Sequence, residues 1–179
     1  PHGCVEQTTS GAFPQLYLTA LLDVPLKQQG EIRHNINAAI SRLKRFQTRS
    51  GGFAYWPGLP ATDDWGSNYA GHFIVEAERA GYLLPSGMKS SWIAHQSEQA
   101  NRWVRDDARS DLNQAYRLYT LALAGAPELG AMNRLKTVNL SDAATWRLAA
   151  AYQLAGQPEI ARQLTKNRST DVAEYSELT

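Results

Sequence analysis

Residues 31–48, EIRHNINAAISRLKRFQT, repeat an apolar side chain at every third or fourth position. An α-helix has about 3.6 residues per turn, so this spacing places the apolar side chains on one face of a helix. Gly30 and Gly51 bracket the segment, and we expect the helix to lie between them. The basic residues within 42–49 interleave with this apolar face, which favours a solvated helix surface. The predicted buried residues are Ile32, Ile36, Ile40, Leu43 and Phe46.

The same periodicity continues through most of the chain, whereas alternation typical of strands is almost absent. The sequence therefore predicts an all-α fold. Short connections between consecutive helices favour antiparallel helical hairpins, which can build a bundle, a short solenoid or an arc of an α/α toroid. Pro14 either kinks the first helix or opens a second segment. The other predicted helices span residues 5–22, 64–80, 86–105, 110–124 (capped by Ser110 or Asp111), 128–137, 141–156 and 158–164.

Residues 50–58, SGGFAYWPG, interrupt the helical pattern. Paired glycines and a proline flank three aromatic residues, and neither glycine nor proline supports the interior of a helix. We expect a tight turn or a short hairpin here.

The composition fits one globular domain covering residues 1–179, because 43% of the positions are hydrophobic and the net charge is only +1. Nucleic-acid binding normally requires clustered Lys and Arg, which this near-neutral chain lacks. No apolar run approaches the roughly 18 residues of a membrane span. We therefore expect no nucleic-acid partner and no membrane contact by this domain.

Cys4 is the single cysteine of the chain. One cysteine cannot form an intrachain disulfide or a cysteine-based zinc site, so we expect no metal and no cofactor there. The remaining possibilities are a buried thiol and a reactive one.

Residues 2–7, HGCVEQ, lie where a loop turns into the first predicted helix. Residues three apart on a helix have Cβ atoms roughly 5 to 6 Å apart, so Cys4 and Gln7 should be neighbours. A helix N-terminus also stabilises the thiolate form of cysteine. The thiol can then attack the Gln7 carboxamide, and loss of ammonia would leave an internal thioester.

A thioester is a stored acyl donor, because its carbonyl is more electrophilic than that of an amide. Water would also open it, so the bond must be shielded until it is used. Five neighbouring aromatic residues could supply part of that shield, although aromatics at helical spacing are often plain core. They are Phe13, Tyr17, Phe53, Tyr55 and Trp56.

Gly3-Cys4-Val5-Glu6-Gln7 resembles the Gly-Cys-x-Glu-Gln thioester motif of alpha-2-macroglobulins and complement components. Pro14 and the aliphatic and aromatic helix after it are also similar to the family pattern. The Gly-Gly-Phe and Trp-Pro-Gly elements of residues 51–58 resemble the aromatic turn of bacterial members, and Trp65 resembles the start of their next helix. After Pro85 the resemblance depends on helical character alone.

This resemblance implies an α/α toroid, incomplete here because family domains of this type are generally longer. It implies a piece of a larger multidomain protein that acts as a protease trap and not as an enzyme. Cys4 would be the thiolate and leaving group, Gln7 the acyl donor, and Gly3 and Glu6 further motif residues. After a protease cleaves a bait segment elsewhere in the parent, a lysine of that protease would attack Gln7. The parent would be periplasmic, with a lipid anchor in the inner membrane as one arrangement.

Some complement relatives use a histidine far downstream of the motif to pass the acyl group to hydroxyls. This sequence has no histidine after His95. If the corresponding position lies within these residues, amine nucleophiles should be preferred.

Three other interpretations remain open from the residues alone. Residues 4–7 can be an accidental helix start within a scaffold, since Glu6 and Gln7 suit a first turn. Cys4 can be the nucleophile of a hydrolase or transferase with a histidine as its base. An α/α barrel can bind a glycan or prenyl group through aromatics and carboxylates. The candidate bases are His2, His34, His72 and His95, and the candidate ligand residues are Trp56, Trp65, Asp63 and Asp64.

Overall fold

A computed structural model describes residues 3–170, which contain nine α-helices and no assigned strand. The prediction of an all-α fold is confirmed for this part of the chain. None of these helices is both long enough and apolar enough to cross a membrane. The helices are α1 (Val5–Ala12), α2 (Gln15–Leu21), α3 (Leu26–Leu43), α4 (Asp64–Arg79), α5 (Met88–Arg102), α6 (Ala108–Leu123), α7 (Leu129–Lys136), α8 (Asp142–Leu154) and α9 (Pro158–Thr165).

The chain divides into two compact units, residues 1–95 and 96–179. In the first unit, α1 packs against both α3 and α4, and the fully buried side chains include Phe46, Phe53, Phe73 and Trp92. In the second unit, α6 and α9 both pack against α8. Packing between alternate helices, as between α6 and α8, suits a layered α/α array. A toroid and a single domain over residues 1–179 remain predictions.

Pro14 separates α1 from α2, so it opens a second helix and does not merely kink the first. Phe13 N donates to Thr9 O at 2.8 Å and closes α1. Pro14 then occupies the N-cap of α2. Proline is suited to a helix start because it has no N–H to leave unpaired.

The boundaries predicted for α3 are wrong at both ends. The helix begins at Leu26, directly after Pro25, and includes Gly30, which is exposed. It ends at Leu43 because the following backbone pairs with the next turn: Ala54 N donates to Phe46 O at 2.9 Å. The predicted apolar face is confirmed for Ile36, Ile40, Leu43 and Phe46, whereas Ile32 is only half-buried.

The predicted glycine-aromatic turn is present and is closed by a single antiparallel bridge between Gln47 and Phe53. Gly51 has a φ of 96°, and a Cβ at this position would lie 2.1 Å from Ser91 O. Both the left-handed backbone and this close approach therefore require glycine.

Side-chain caps fix three of the helix starts. Asp63 accepts from Gly66 N at 2.6 Å in α4, and Ser141 accepts from Ala144 N at 3.3 Å in α8. The predicted cap of α6 is wrong, because Asp107 performs that role by accepting from Ser110 N at 2.7 Å. Asp111 is instead buried and pairs with Arg105 at 3.1 Å.

The remaining helices lie close to their predicted positions. Helix α4 covers nearly the whole predicted range, and Gly81 after it has a φ of 90°. Helix α5 is shorter than predicted by a few residues at each end, and α7, α8 and α9 differ only at their ends.

In the first unit, substitution of two helical glycines by alanine should change the free energy of unfolding in opposite directions. A Cβ at Gly71 would lie 2.1 Å from the buried Trp92 ring, whose indole N–H donates to Ser67 O at 2.8 Å. Gly30 has no neighbouring atom within 4 Å of such a Cβ. Gly71→Ala should lower the free energy of unfolding by about 1–3 kcal/mol through overpacking. Gly30→Ala should raise it by about 0.5–1 kcal/mol through helix propensity.

Chemical denaturation of both variants and the wild type measures these changes. Equal effects of the two substitutions would contradict the close packing of Trp92 on α4.

Candidate thioester site

Cys4 is the N-cap residue of α1. Its backbone is extended, with φ −71° and ψ 178°, and its carbonyl accepts the helical hydrogen bond from Thr8 N at 3.0 Å. Only 4% of the residue is exposed, and its sulfur is a free thiol. The sole thiol of the chain therefore lies at the positive end of a helix, among N–H groups that have no partner within the helix.

Gln7 is the third residue of α1, and its side chain folds back to the helix start. Its Oε1 accepts from Cys4 N at 3.1 Å. The pair forms a capping box, in which the Cys4 side chain in turn accepts from the Gln7 backbone. A capping box usually joins Ser or Thr with Glu or Gln, so cysteine here occupies the position of the hydroxyl residue. As predicted from their spacing, the sulfur and the carboxamide share one helix end.

Tyr55, two residues after the bridge that closes the glycine-aromatic turn, lies against the same helix end. Its carbonyl accepts from Val5 N at 3.1 Å, which satisfies a free N–H of the first turn. A hydrogen bond between its side chain and Cys4 raises the pKa of the Tyr55 hydroxyl, and the charge of Cys4 raises it further. The Tyr55 ring meets the Trp56 ring edge-on at 5.6 Å. Of the five candidate shielding aromatics, Tyr55 is the one with this contact to Cys4.

Buried backbone contacts hold the turn in place. Phe53 N donates to Ser67 Oγ at 2.8 Å, and Asp63 N donates to Phe53 O at 2.8 Å. The Phe53 side chain is fully buried. Phe53 thus anchors the turn to α4 and its preceding loop, while Trp56 remains 47% exposed.

Phe13 and Tyr17 belong to an aromatic cluster beside α4. The Phe13 ring lies 6.2 Å from Tyr17, 5.7 Å from Tyr69, 4.9 Å from His72 and 5.7 Å from Phe73. Tyr17 is 42% exposed at the edge of this cluster. These contacts attach the segment between α1 and α2 to α4.

Gly3 and Glu6 lie beside Cys4 and Gln7. A Cβ at Gly3 would lie 3.2 Å from Gln7 Oε1, so any side chain there would crowd the carboxamide. Glu6 is half-buried in the first turn, where a negative charge is favourable, and its charge also raises the Tyr55 pKa.

Arg42, near the end of α3, spans the site, and the sequence does not predict this role. Its Nη2 donates to Gly3 O at 2.9 Å, and its Nε donates to Thr8 Oγ1 at 3.0 Å. The residue is half-buried, so the predicted solvated face is wrong for Arg42. Arg42, Gln7 and Thr8 line a groove of about 330 Å³ between α1 and α3. The Gln7 side chain is therefore accessible from this groove.

The described histidines lie in ordinary structural surroundings. His34 is exposed on α3, and His72 packs against Phe13. His95 is buried against Gly52, where a Cβ would lie 2.5 Å from its Nε2. His2 lies outside the described residues. Within residues 3–170, no group of three His, Cys, Asp or Glu side chains could hold a metal ion.

The residues of the ligand-binding alternative also have structural contacts. The Asp63 carboxylate caps α4, and the Trp65 ring stacks on Tyr69 at 6.2 Å. Asp64 is exposed in the first turn of α4.

The Tyr55 contact predicts how fast the free thiol reacts. Tyr55→Ala removes a side chain that is hydrogen-bonded to Cys4, so iodoacetamide should alkylate Cys4 in this chain at least about threefold faster. Tyr55→Phe keeps the ring and should have a smaller effect. Tyr17→Ala, which removes an aromatic of the Phe13 cluster, serves as the matched control and should leave the rate unchanged. Equal rates for Tyr55→Ala and Tyr17→Ala would contradict shielding by Tyr55.

The chain is similar in sequence to bacterial alpha-2-macroglobulins. No family model matches the chain. The alpha-2-macroglobulin of Escherichia coli K12 is 34% identical over 110 residues, which are 59% of this chain and 6% of that protein. The alpha-2-macroglobulin of Rickettsia conorii is 26% identical over 193 aligned positions, which are 98% of this chain and 10% of that protein. The chain therefore spans a tenth or less of these relatives.

Solved structures give the same result. Salmonella alpha-2-macroglobulin reacted with methylamine matches 92% of this chain and 12% of its own, with a TM-score of 0.77 and 26% identity. Escherichia coli alpha-2-macroglobulin activated by porcine elastase matches 97% of this chain and 17% of its own, with a TM-score of 0.75 and 26% identity. By sequence and by fold, the chain is similar to bacterial alpha-2-macroglobulins and aligns with a small segment of these much longer proteins.

Proposed function

We propose that this chain is the thioester domain of a broad-range protease trap, in which Cys4 and Gln7 form the thioester. The observation that supports this most strongly is the capping box of α1, with Gln7 Oε1 3.1 Å from Cys4 N. An ordinary exposed glutamine would extend into solvent. This one is held folded back, so its carboxamide lies beside the only thiol of the chain.

The bond would form by acyl transfer within α1. The Cys4 thiolate attacks Gln7 Cδ, a C–S bond forms, and the C–N bond breaks. The amide nitrogen leaves as ammonia after taking up the thiol proton. Holding both groups in one helical turn makes this step intramolecular, which lowers its entropic cost.

Opening would acylate an amine of the target. A neutral lysine amine attacks Gln7 Cδ, the C–S bond breaks, and the amine proton passes to the Cys4 thiolate. The products are an amide cross-link and a free thiol. Because the thioester is not regenerated, the domain acts once per molecule and is a trap rather than an enzyme.

Access differs between the two reactive residues. Cys4 is buried and hydrogen-bonded to the Tyr55 side chain, while Gln7 is exposed and lines the open groove. A thioester carbonyl facing this groove would be hydrolysed unless something covered it. Other domains of a longer parent would supply that cover, and cleavage of a bait segment would remove it.

The similar proteins support amines as the attacking nucleophiles and proteases as the targets. The Salmonella structure is of a protein reacted with methylamine, and the Escherichia coli structure is of a protein activated by elastase. We extend these properties to the parent of this chain, with covalent capture through a protease lysine and a periplasmic location.

Intact-mass measurement of the full-length parent tests the thioester. The native protein should be lighter by one ammonia than its sequence requires. Methylamine should add one molecule at Gln7 and release one titratable thiol. Cys4→Ala should abolish both changes.

Cys4→Ser is the matched control, because serine keeps a good N-cap while removing the thiol. This variant should fold with the wild-type melting temperature and show the unmodified mass. A native wild type with full mass and a free thiol would contradict the proposal.

Protease capture gives a second prediction. The full-length parent, mixed with elastase, should form a protein adduct that survives boiling in detergent. Elastase with dimethylated lysines should cleave the parent but form about tenfold less adduct, because its lysine amines are blocked. Cys4→Ser should form none with either protease. Undiminished adduct with methylated elastase would exclude lysine as the nucleophile.

A further inference from the structure

Arg42 joins the two ends of the segment that contains the reactive pair. It binds the carbonyl of Gly3, the residue before Cys4, through Nη2 at 2.9 Å. It binds the hydroxyl of Thr8, the residue after Gln7, through Nε at 3.0 Å. One guanidinium group thus contacts both residues that flank the segment from Cys4 to Gln7.

The guanidinium is itself held in a fixed position. Its Cζ lies 5.7 Å from the centroid of Phe46, a fully buried ring three residues after α3 ends. Phe46 O in turn accepts from Ala54 N, beside the residue that covers Cys4. Arg42 therefore links α3, the glycine-aromatic turn and the start of α1.

We propose that Arg42 is the positioning residue for thioester closure. This inference depends on the proposed function and identifies what aligns its two reactive groups. By fixing Gly3 and Thr8, Arg42 limits the relative motion of the Cys4 sulfur and the Gln7 carboxamide. Its donated hydrogen bonds go to Thr8 Oγ1 and Gly3 O, so the role proposed for Arg42 is to fix the position of the backbone and not to act as an acid, base or nucleophile.

Arginine is suited to this task because its planar fork carries several N–H donors in fixed directions and stacks on an aromatic ring. Lysine has a single flexible ammonium group. It keeps the charge but cannot hold the Gly3 carbonyl and the Thr8 hydroxyl with the same geometry. Arg42→Lys therefore separates positioning from charge.

The test uses the full-length parent and two readouts, the fraction of molecules lighter by one ammonia and the melting temperature. Arg42→Met removes both donated bonds but keeps an apolar stem beside Phe46. Arg45→Met removes a charge from an exposed residue three positions further along the chain. Thr8→Val removes one of the two anchors while keeping the side-chain shape.

Arg42→Met and Arg42→Lys should each reduce the thioester-containing fraction by about fivefold or more. Thr8→Val should reduce it less, and Arg45→Met should leave it at the wild-type level. The melting temperatures of Arg42→Lys and Arg45→Met should agree to within about 2 °C. This combination would assign Arg42 to positioning, since a purely structural residue would lower the melting temperature together with the thioester fraction.

A full thioester content in Arg42→Met would overturn the role of Arg42 while leaving the proposed function intact. The role of Arg42 would also be overturned if the thioester were lost only in variants with a lowered melting temperature. The loss would then reflect the general stability of the protein. A wild type that shows no ammonia loss would contradict the proposed function itself.

Discussion

The first turn of an α-helix has backbone N–H groups that no residue of the helix can satisfy. In this chain, Gln7 satisfies one of them by folding its carboxamide back to Cys4 N. Val5 N is satisfied by the carbonyl of Tyr55, from a turn distant in sequence. The need to satisfy these donors thus brings a thiol, a carboxamide and an aromatic ring to one helix end. The proposed chemistry depends on this local requirement of helix structure.

The rest of the first unit positions that helix end. Helix α3 supplies Arg42, which holds the residues on both sides of the reactive pair. The glycine-aromatic turn is anchored through Phe53 to Ser67 and presents Tyr55 to Cys4. Gly3, Gly51 and Gly52 allow close approaches that a side chain would prevent. The site is therefore built from α3 and the glycine-aromatic turn, which both contribute contacts to the start of α1.

Local signals in the sequence predicted the features that depend on neighbouring residues. The pairing of Cys4 with Gln7 follows from their spacing in a helix start, and α8 begins within one residue of the helix start predicted at Ser141. The apolar period of α3 identified four of the five expected core residues. The predicted end of α3 is wrong because contacts with a distant segment determine where this helix stops. Helix α3 ends before Phe46 because the Phe46 carbonyl pairs with Ala54, although its apolar pattern continues.

Contacts between distant residues could not be predicted from one sequence. Arg42 resembles its basic neighbours in the chain, yet it binds Gly3, which lies 39 positions away. The sequence predicted Ser110 or Asp111 as the cap of α6, whereas Asp107 caps this helix and Asp111 is buried in a pair with Arg105. Likewise, nothing in the sequence distinguishes Tyr55 from Phe13 as a cover for Cys4. The proposed function requires that Cys4 and Gln7 are covalently joined in the native parent, which an atomic-resolution crystal structure of that parent would resolve. We expect continuous electron density between Cys4 Sγ and Gln7 Cδ, with no carboxamide nitrogen on Gln7. An intact carboxamide at van der Waals distance from a free sulfur would show that the parent contains no thioester.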